Sequence, residues 1–302
     1  MRPYQFCNLV EVNGSDIVDQ NDFNDRVRNA TIIATVQAGY TEFHYLRDIW
    51  KKTTEEDALI GVGITGIAAN KISSEWLTFS AELVKETNAH IASIIGINPA
   101  ARTTTIKPSG TSSLVVGSSS GIHAYHNTYY LRRMRFGKDE SIWKYLSNKI
   151  PGLCENEAAR PMTMGVVAIP QKAPEGAFIR TESPIDLLNR TLDYNVKWVR
   201  KGHNYGVNAN NVSVTVSVKS HEWEEVGNWM WLHREFYNGI SVLPYDGGTY
   251  VQAPFEDITK EEYEAMVSGV HDIDLREVIE NIDNTDLSSE AACAGSGCEV
   301  VF

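Results

Sequence analysis

Short segments rich in β-branched residues alternate with longer helical segments along most of this chain. The clearest strand prediction is Val212–Val218, where valine alternates with serine and threonine. Three further strands are predicted at Phe6–Val12, Gly165–Ile169 and Ile240–Leu243. Helices are predicted at Asp22–Arg47, Glu55–Asn70, Ser73–Ile95, Asp186–Lys201 and Glu222–Asn238. This alternation favours an α/β fold over an all-β fold or a helical bundle.

A pair of cysteines near the end of the sequence is the strongest local sign of chemistry. Cys293 and Cys298 are separated by Ala-Gly-Ser-Gly, a flexible spacer that lets the two residues reach disulfide distance. A dithiol on a mobile arm can be oxidised at one place and reduced at another. Zinc would need two further ligands nearby, so the pair predicts a redox function and no metal site.

The cysteine pair follows a segment of unusual charge. Between Asp272 and Glu290 seven acidic residues accompany one basic residue, Arg276. The residues after this segment are small and include several glycines, which supply no packed face. We therefore predict a folded domain over residues 1–270 and an acidic linker with a flexible redox-active tail over 271–302.

A loop rich in serine, threonine and glycine offers a candidate binding site for an anion. It follows a short predicted strand near residues 103–106 and occupies 107–113. Glycine permits an unusual turn there, while hydroxyl and amide groups donate hydrogen bonds to negative charge. The loop lacks the Gly-Lys-Ser/Thr ending of a Walker A motif. The candidate substrate-binding residues are Ser109, Gly110, Thr111, Ser112 and Ser113.

Several other polar residues have a plainer interpretation when each is considered alone. Cys7 lies in a predicted strand, where a cysteine is usually a small buried hydrophobe, and Cys154 is predicted to be structural. His123 and His126 lack the acidic partner of a zinc motif, so core-satisfied or solvated histidines are favoured. The basic group is predicted to form a salt-bridged helix face; its members are Arg132, Arg133 and Arg135.

Composition excludes some classes of partner. The 27 lysines and arginines against 39 acidic residues give a formal net charge of −12, which repels nucleic acid. The most apolar run, near residues 59–69, is too short and interrupted to span a bilayer. The sequence starts without the apolar region of a signal peptide, so we expect a cytoplasmic protein without a membrane partner. Its 302 residues suffice for one large or two ordinary domains.

The motifs, taken together and in order, are similar to the large chain of ribonucleotide reductases. The resemblance is to the carboxy-terminal part of a class II, adenosylcobalamin-dependent enzyme, and it covers nearly the whole chain. Each motif alone is only weakly specific for the family, but the occurrence of all of them in the same order is specific for it. The matching motifs are residues 6–12 (Phe-Cys-Asn-Leu-Val-Glu-Val), 61–66, 107–113, 121–123, 210–215 and 243–252, with the terminal Cys293 and Cys298.

The resemblance implies a fold and specific roles. The family fold is a ten-stranded α/β barrel, of which this chain would form the second half. Cys7 matches a barrel cysteine that, with a second cysteine, gives two electrons to the ribose. Ser109–Ser113 match the loop that holds the substrate phosphates. Cys293 and Cys298 match the tail pair that reduces the barrel disulfide and is itself reduced by thioredoxin or a similar donor. Adenosylcobalamin is implied by the resemblance alone.

One departure from the family pattern affects the predicted assembly. The motif Asn-Pro-Cys-Gly-Glu, which carries the radical cysteine and a catalytic glutamate, does not occur in this sequence. In the family it lies just upstream of the strand that bears the counterpart of Cys7. We therefore expect a split or fragment chain that is inactive without an amino-terminal partner chain.

Other interpretations remain open at this stage. A class I reductase large subunit also ends in a cysteine pair, but it receives its radical from a separate subunit. A non-catalytic module that binds nucleotides through the 107–113 loop is a second alternative. A general thiol oxidoreductase is disfavoured, because the sequence has no Cys-x-x-Cys motif near a βαβ unit.

Overall fold

The computed structural model describes residues 2–245, 247, 251–270 and 273–280 of the chain. Cys293 and Cys298 lie outside the described residues, as do Asp246 and Gly248–Tyr250 of the 243–252 motif. The described strands are β1 Asn8–Asn13, β2 Ile60–Thr65, β3 Tyr129–Gly137, β4 Cys154–Asn156, β5 Met164–Lys172, β6 Thr215–Val218, β7 Ser241–Pro244 and β8 Phe255–Asp257. The described helices are α1 Gln20–Ala38, α2 Asp48–Asp57, α3 Ser74–Ile95, α4 Ser112–Val115, α5 Ser141–Lys149, α6 Pro184–Tyr194, α7 Trp223–Leu232 and α8 Lys260–Ser268.

A series of parallel strands forms the centre of the fold. β1 pairs with β2 in parallel, and β6 pairs with β7 in parallel. The segment 103–106 joins the two pairs, because Val62 bridges to Thr104 and Ile106 bridges to Val212, both in parallel. The spatial order is therefore β1, β2, segment 103–106, segment 212–218 and β7. We call this arrangement the parallel sheet.

Helices α1, α3, α6 and α7 pack against one face of the parallel sheet. Alternate strand residues such as Val62, Ile64 and Val216 are fully buried on this face. They share one hydrophobic core with Phe23 of α1 and Leu77 of α3. Parallel strands joined by helices commonly have such a covered face. The α/β fold predicted from the alternating pattern is confirmed, whereas no closed barrel is present among the described residues.

Trp198 fastens the helical layer to the middle of the parallel sheet. It lies in a π-helical turn, Asn195–Val199, that continues α6, and its side chain is fully buried. Its indole N–H lies 3.3 Å from both the carbonyl oxygen of Val62 and that of Thr105, and it donates to both. A buried indole needs such acceptors.

A second, antiparallel sheet is inserted into this framework. Its strands lie in the order β4, β5, β3 and β8. The prediction of a helix face for Arg132, Arg133 and Arg135 is wrong, because all three lie in β3. Arg133 nevertheless forms ion pairs, with Glu155 of β4 and Glu256 of the adjacent strand β8. The partner strand β5 begins well beyond β3 in sequence, so local pattern did not reveal the pairing.

The predicted helix Glu55–Asn70 is also wrong. Helix α2 ends at Asp57, and β2 follows at once with all six residues buried. A strand that is buried in this way lacks the polar alternation by which strands are recognised, so it is confused with a buried helix. Helix α3 agrees with its prediction. Ser73 is its N-cap, and the Ser73 hydroxyl accepts a hydrogen bond from the amide of Glu75.

The beginning of the acidic linker packs against α5. Ile273 contacts the small core around Trp143, and Tyr145 accepts a hydrogen bond from the amide of Asp274 at 2.8 Å. Lys149 forms an ion pair with Glu277 at 2.9 Å. Part of the linker is therefore attached to the antiparallel sheet. None of the described helices has the length and apolar character needed to cross a membrane.

Candidate active site: the open face of the parallel sheet

The side of the parallel sheet opposite the helices carries small and polar residues. We call it the open face. In β1 it presents Cys7, just before the strand, together with Leu9 and Glu11, because side chains alternate along a strand. Leu9 is 46% exposed. Glycines 61 and 63 of β2 lie beside these side chains, and the remaining members of the face are Thr105, Lys107, Ser213, Thr215, Ser217, Ser241 and Leu243.

Because Gly61 has no side chain, the side chains of Leu9 and Cys7 occupy the space beside it. A Cβ atom at this position would lie 2.5 Å from Cδ2 of Leu9 and 3.6 Å from Sγ of Cys7. The same atom would lie 3.0 Å from Cγ2 of Thr105. The Cys7 thiol is thus half-buried at the beginning of the open face. It fits there because Gly61 has no side chain.

Burial keeps the Cys7 thiol protonated at neutral pH. It raises the pKa of Cys7 to about 11, while the positive charges of Lys107 and Arg102 act in the opposite direction. A protonated thiol is a weak nucleophile but retains its S–H hydrogen. This state is compatible with a thiol that donates electrons and protons to a bound substrate and does not attack one as a free thiolate.

A buried polar network holds the chain just before β1. Nε2 of Gln5 donates to Oδ2 of Asp57 at 2.7 Å, and Arg102 donates to the same oxygen at 3.1 Å. Arg2 donates to Oδ1 of Asp57 at 3.0 Å. The side chain of Arg102 is only 4% exposed, so the loss of Asp57 would leave a buried charge without its carboxylate. The network fixes the position from which Cys7 enters the sheet.

Glu11 is a half-buried acid on the open face. A Cβ atom at Gly63 would lie 2.8 Å from its Oε1 atom, so the carboxyl group lies across this glycine. Its Oε2 atom is buried and has no hydrogen-bond partner. Burial raises the pKa of Glu11 to about 7. Charge alone did not single out this residue in the sequence; the available signal was two glycines in β2 at the same spacing as Leu9 and Glu11.

The loop 107–113 continues directly from the third strand of the parallel sheet. It leads into α4, a single helical turn. Ser109 is 5% exposed, its hydroxyl lies 2.5 Å from that of Ser112, and its amide donates to the hydroxyl of Ser120 at 2.9 Å. Thr111 and Ser112 are exposed. The loop therefore has an internally bonded side and a side that presents hydroxyl groups to solvent.

A turn at 118–121 supports this loop from below. Gly121 has a φ of +54°, and a Cβ atom there would lie 2.4 Å from the carbonyl oxygen of Lys107. Thr65, the last residue of β2, accepts the amide hydrogen of Gly121 at 3.1 Å and donates its hydroxyl to the carbonyl of Ser119 at 2.9 Å. Only glycine permits this close approach, and the loop is thereby anchored to the end of β2.

His123 is a structural residue in this arrangement. Its Nδ1 atom lies 3.1 Å from the carbonyl oxygen of Ser120, and its Nε2 atom accepts the amide hydrogen of Thr215 at 3.0 Å. These partners require a neutral ring with the hydrogen on Nδ1. Burial lowers the pKa of His123, which agrees with that state. The interpretation as a core-satisfied histidine is confirmed.

The Asn210–Asn211 part of the 210–215 motif is structural as well. The side-chain amide of Asn210 donates to the carbonyl of Thr104 at 2.9 Å. The carbonyl of Asn211 accepts hydrogen bonds from the amide of Ile106 and the hydroxyl of Thr105. These contacts join segment 103–106 to segment 212–218. The motif thus holds the third and fourth strands together.

The parallel sheet brings together some of the predicted site residues. Cys7 and the 109–113 loop belong to the same sheet, the thiol at the start of β1 and the loop after the third strand. Cys154 lies on the separate antiparallel sheet. The tail pair Cys293 and Cys298 lies outside the described residues and keeps its predicted role. Glu11 and the Gln5–Asp57–Arg102 network are the parts that sequence interpretation missed.

Comparisons with known proteins agree with this arrangement. No protein-family model matches the sequence. A crystal structure of a B12-dependent (class II) ribonucleotide reductase matches the fold with a TM-score of 0.72 over 91% of this chain, at 21% identity. An adenosylcobalamin-dependent ribonucleoside-triphosphate reductase from Lactobacillus helveticus is 25% identical over 97% of this chain. The chain resembles part of a class II ribonucleotide reductase.

The matches cover most of this chain but only part of each relative. The enzyme of the same description from Euglena gracilis is 27% identical over 82% of this chain, and a probable one from Dictyostelium discoideum is 26% identical over 100%. The chain spans 43%, 35% and 39% of the three relatives, respectively, and 41% of the solved class II reductase. The chain thus spans less than half the length of each of these relatives.

Proposed function

We propose that this chain is the carboxy-terminal portion of a class II ribonucleotide reductase and takes part in reducing ribonucleotides to deoxyribonucleotides. The observation that carries the proposal is that two candidate functional groups lie on the same sheet. The Cys7 thiol and the 107–113 loop stand on one parallel sheet, within a fold that matches a class II reductase. A thiol and an anion-binding loop are what a reductase of phosphorylated sugars needs.

The proposed chemistry uses Cys7 as one member of a reducing pair. Cys7 and a second cysteine, outside this chain's described site, give two electrons and two protons to the substrate. The ribose 2′-hydroxyl leaves as water, a hydrogen takes its place on the carbon, and the two thiols become a disulfide. Exchange with the Cys293–Cys298 dithiol then restores the two thiols, and thioredoxin or a similar dithiol reduces the tail disulfide.

The loop gives the proposed substrate its position. Ser112 and Thr111 present hydroxyl groups to solvent at the end of the third strand, while Ser109 is fixed by Ser120 from within. Hydroxyls and backbone amides of such a loop hold phosphate oxygens. Lys107 adds a positive charge at the junction of strand and loop. Substrate phosphates bound there would place the ribose over the open face.

Adenosylcobalamin enters the proposal through the relatives, which are named for their dependence on it. When bound to an enzyme, it supplies a radical by homolysis. None of the contacts found among the described residues identifies a binding site for this cofactor, and we derive no step through it. The part played by this chain is to hold the thiol, exclude water from its half-buried sulfur and position the nucleotide.

The unpaired edge of β1 favours the presence of a partner chain. Asn8 and Gly14 donate their amides to the β2 side, so the amides of Leu9 and Glu11 point to the other edge, where no described strand pairs with them. Beside this edge α1 exposes an apolar row: Ile33 is 61% and Val36 is 55% exposed. An unpaired edge next to exposed apolar residues is typical of an interface. We propose that the amino-terminal half of a reductase covers it, on a partner chain.

The test is turnover by the assembled enzyme. Purified chain is mixed with an amino-terminal reductase half, adenosylcobalamin, a ribonucleoside triphosphate and thioredoxin, and the deoxyribonucleotide formed is measured. We expect many turnovers for the wild type and none for Cys7→Ser. The double substitution Cys293→Ser with Cys298→Ser should allow about one turnover per enzyme, because the barrel thiols are not restored.

Three outcomes would contradict parts of this proposal. Full turnover by the chain without the amino-terminal half would exclude the partner requirement. Turnover without cobalamin would favour a class I enzyme. Unchanged nucleotide binding together with no effect of any cysteine substitution would favour a non-catalytic nucleotide-binding module.

A further inference from the structure

Glu11 is a half-buried acidic residue on the open face that the thiol chemistry does not use. Its Oε2 atom is removed from solvent and has no hydrogen-bond partner, while Oε1 lies against Gly63. A buried polar atom without a partner is costly, since folding removes its hydrogen bonds to water and returns none. Such an atom in a folded protein calls for an explanation, and a ligand is one.

The surroundings of Glu11 leave it without a balancing charge. On its own strand the nearest titratable neighbour on the same face is Cys7, and β2 contributes no titratable side chain. Arg26 of the packed helix α1 is engaged by Asp16 and Asp22. The positive charge of Lys107 acts on the Cys7 thiol, whereas burial is the cause that shifts the pKa of Glu11. Burial raises the pKa of Glu11 to about 7, so about half of the carboxyl groups are protonated at pH 7.

Glu11 also lies between the two groups proposed to meet the substrate. Cys7 stands at the beginning of β1. At the opposite end of β1 and β2 the 118–121 turn closes on the sheet, where a Cβ atom at Gly66 would lie 2.9 Å from Cβ of Ser15 and 3.0 Å from Cβ of Ser118. A ligand that extends from this end toward the thiol passes over Gly63 and Glu11.

We propose that Glu11 is a substrate-positioning residue that donates a hydrogen bond from its carboxyl group to an oxygen of the bound nucleotide, an assignment that rests on the proposed function. A neutral carboxyl group has one O–H donor, which matches a phosphate or sugar oxygen. An ionised carboxylate would repel the phosphates. Negative charge on the ligand further favours the protonated acid, so nucleotide binding takes up a proton when Glu11 is ionised beforehand.

The test is calorimetric titration of the 302-residue chain with cytidine triphosphate at pH 6, 7 and 8. Repeating each titration in two buffers of different ionisation enthalpy gives the number of protons taken up. For the wild type we expect about half a proton per nucleotide at pH 7 and affinity about tenfold weaker at pH 8 than at pH 6, from a free-state pKa of about 7. Glu11→Gln keeps the shape and a donor, so it should lose this proton uptake and this pH dependence.

Two further variants separate the hydrogen bond from general effects on folding. Glu11→Ala removes the donor and should bind cytidine triphosphate about two- to tenfold more weakly at pH 6, where Glu11→Gln retains wild-type affinity. Glu262→Gln, on the exposed first turn of α8, should behave as the wild type. Circular dichroism confirms that each variant is folded before titration.

The possible failures are distinguishable. Equal proton uptake by the wild type and Glu11→Gln, with the nucleotide bound by both, would overturn the role of Glu11 and leave the proposed function intact. Absence of binding by the wild type at every pH would overturn both the role of Glu11 and the assignment of the loop as this chain's substrate site.

Discussion

The two faces of the parallel sheet are built from the same strands and have opposite characters. On the helix-covered face Val62, Ile64 and Val216 are fully buried in one continuous core. On the open face the neighbouring positions of β2 are Gly61 and Gly63. One face is filled with aliphatic side chains, whereas the other has glycines at the positions beside which the Cys7 thiol and the Glu11 carboxyl group lie.

The two faces therefore contribute differently to stability. The covered face removes apolar area from water, which is the main favourable contribution to folding. The open face gives up part of that gain, leaving Glu11 without a hydrogen-bond partner and Leu9 46% exposed. Residues that cost stability without an evident structural return are expected at functional sites. The comparison predicts that equal truncations on the two faces have unequal effects.

The largest effect is expected from Trp198→Ala on the covered face. The substitution empties a fully buried site and removes the donor to the carbonyls of Val62 and Thr105. Core truncations of this size cost about 3–5 kcal/mol. The matched truncation on the open face, Leu9→Ala, should cost less than about 1.5 kcal/mol because nearly half of that side chain is already in water. Urea unfolding of both variants measures the two costs, and equal costs would contradict the contrast between the faces.

The next effect concerns the pH dependence of stability. The pKa of Glu11 is about 7 in the folded chain, above its value of about 4.3 in an unfolded chain. Its contribution is fully present below the unfolded value and is lost as the pH rises through 7, because only the unfolded state ionises freely. The loss is at most about 4 kcal/mol, since the two pKa values differ by about 2.7 and each pKa unit corresponds to about 1.4 kcal/mol. Glu11→Gln should therefore flatten the decline of the unfolding free energy between pH 4.5 and 8.

Glu262 provides the control of opposite sign. Backbone and side-chain hydrogen bonds from Thr259 lower its pKa. Its contribution is therefore present above the unfolded pKa and is lost as the pH falls. Glu262→Gln should change stability on the acid side and leave the decline toward pH 8 unchanged. A decline toward pH 8 that persists in Glu11→Gln would assign the effect to another group.

The contrast between the faces also explains what could be predicted from the sequence. The alternation of valine with serine and threonine in segment 212–218 indicates which side is buried, and β6 (Thr215–Val218) lies within the predicted strand. Ser73 indicates the start of α3, because an N-cap acts through a local interaction that can be recognised in the sequence. β2 was mistaken for a helix because both of its faces are buried, one by apolar side chains and one by Leu9 and Glu11 lying across glycine.

The site could be predicted only where a motif carried it. Cys7 and the 109–113 loop are predicted from a resemblance to a family and from their residue types. The Asp57–Arg102 pair is separated by 45 positions in sequence, so its formation depends on the folded sheet. Glu11 resembles any other acid in a chain with 39 of them. Its distinguishing property, burial without a partner, exists only in three dimensions.

The role of glycine on the open face gives a smaller predicted effect. Gly61→Ala places a Cβ atom 2.5 Å from Cδ2 of Leu9, so that side chain must move. Overpacking of this kind costs about 1–3 kcal/mol. Gly227→Ala in α7 is the matched control, because a Cβ atom there meets nothing within 4 Å. The control should gain about 0.5–1 kcal/mol from helix propensity. Two changes of the same sign in thermal unfolding would contradict the crowding of the open face.

The smallest predicted effect is on the reactivity of the Cys7 thiol. Its pKa of about 11 makes alkylation by iodoacetamide at pH 8 about a hundredfold slower than for a free cysteine of pKa about 8.5. Lys107→Gln removes a positive charge that favours the thiolate, so the rate should fall by a further factor of about two to three. Lys85→Gln on α3, where the lysine pairs with Glu82, should leave the rate unchanged. Mass spectrometry of the peptide that contains Cys7 follows the rates between pH 8 and 10.

A higher rate in Lys107→Gln would mean that the lysine shields the sulfur by covering it and that its charge has little effect. The same substitution at 0.5 M salt separates these possibilities, because salt screens a charge but leaves coverage unchanged. A charge effect that fades in salt would show that the thiol and the first residue of the 107–113 loop influence each other across the open face. The two groups would then act as parts of one site, whereas the covered face beneath them contributes only packing.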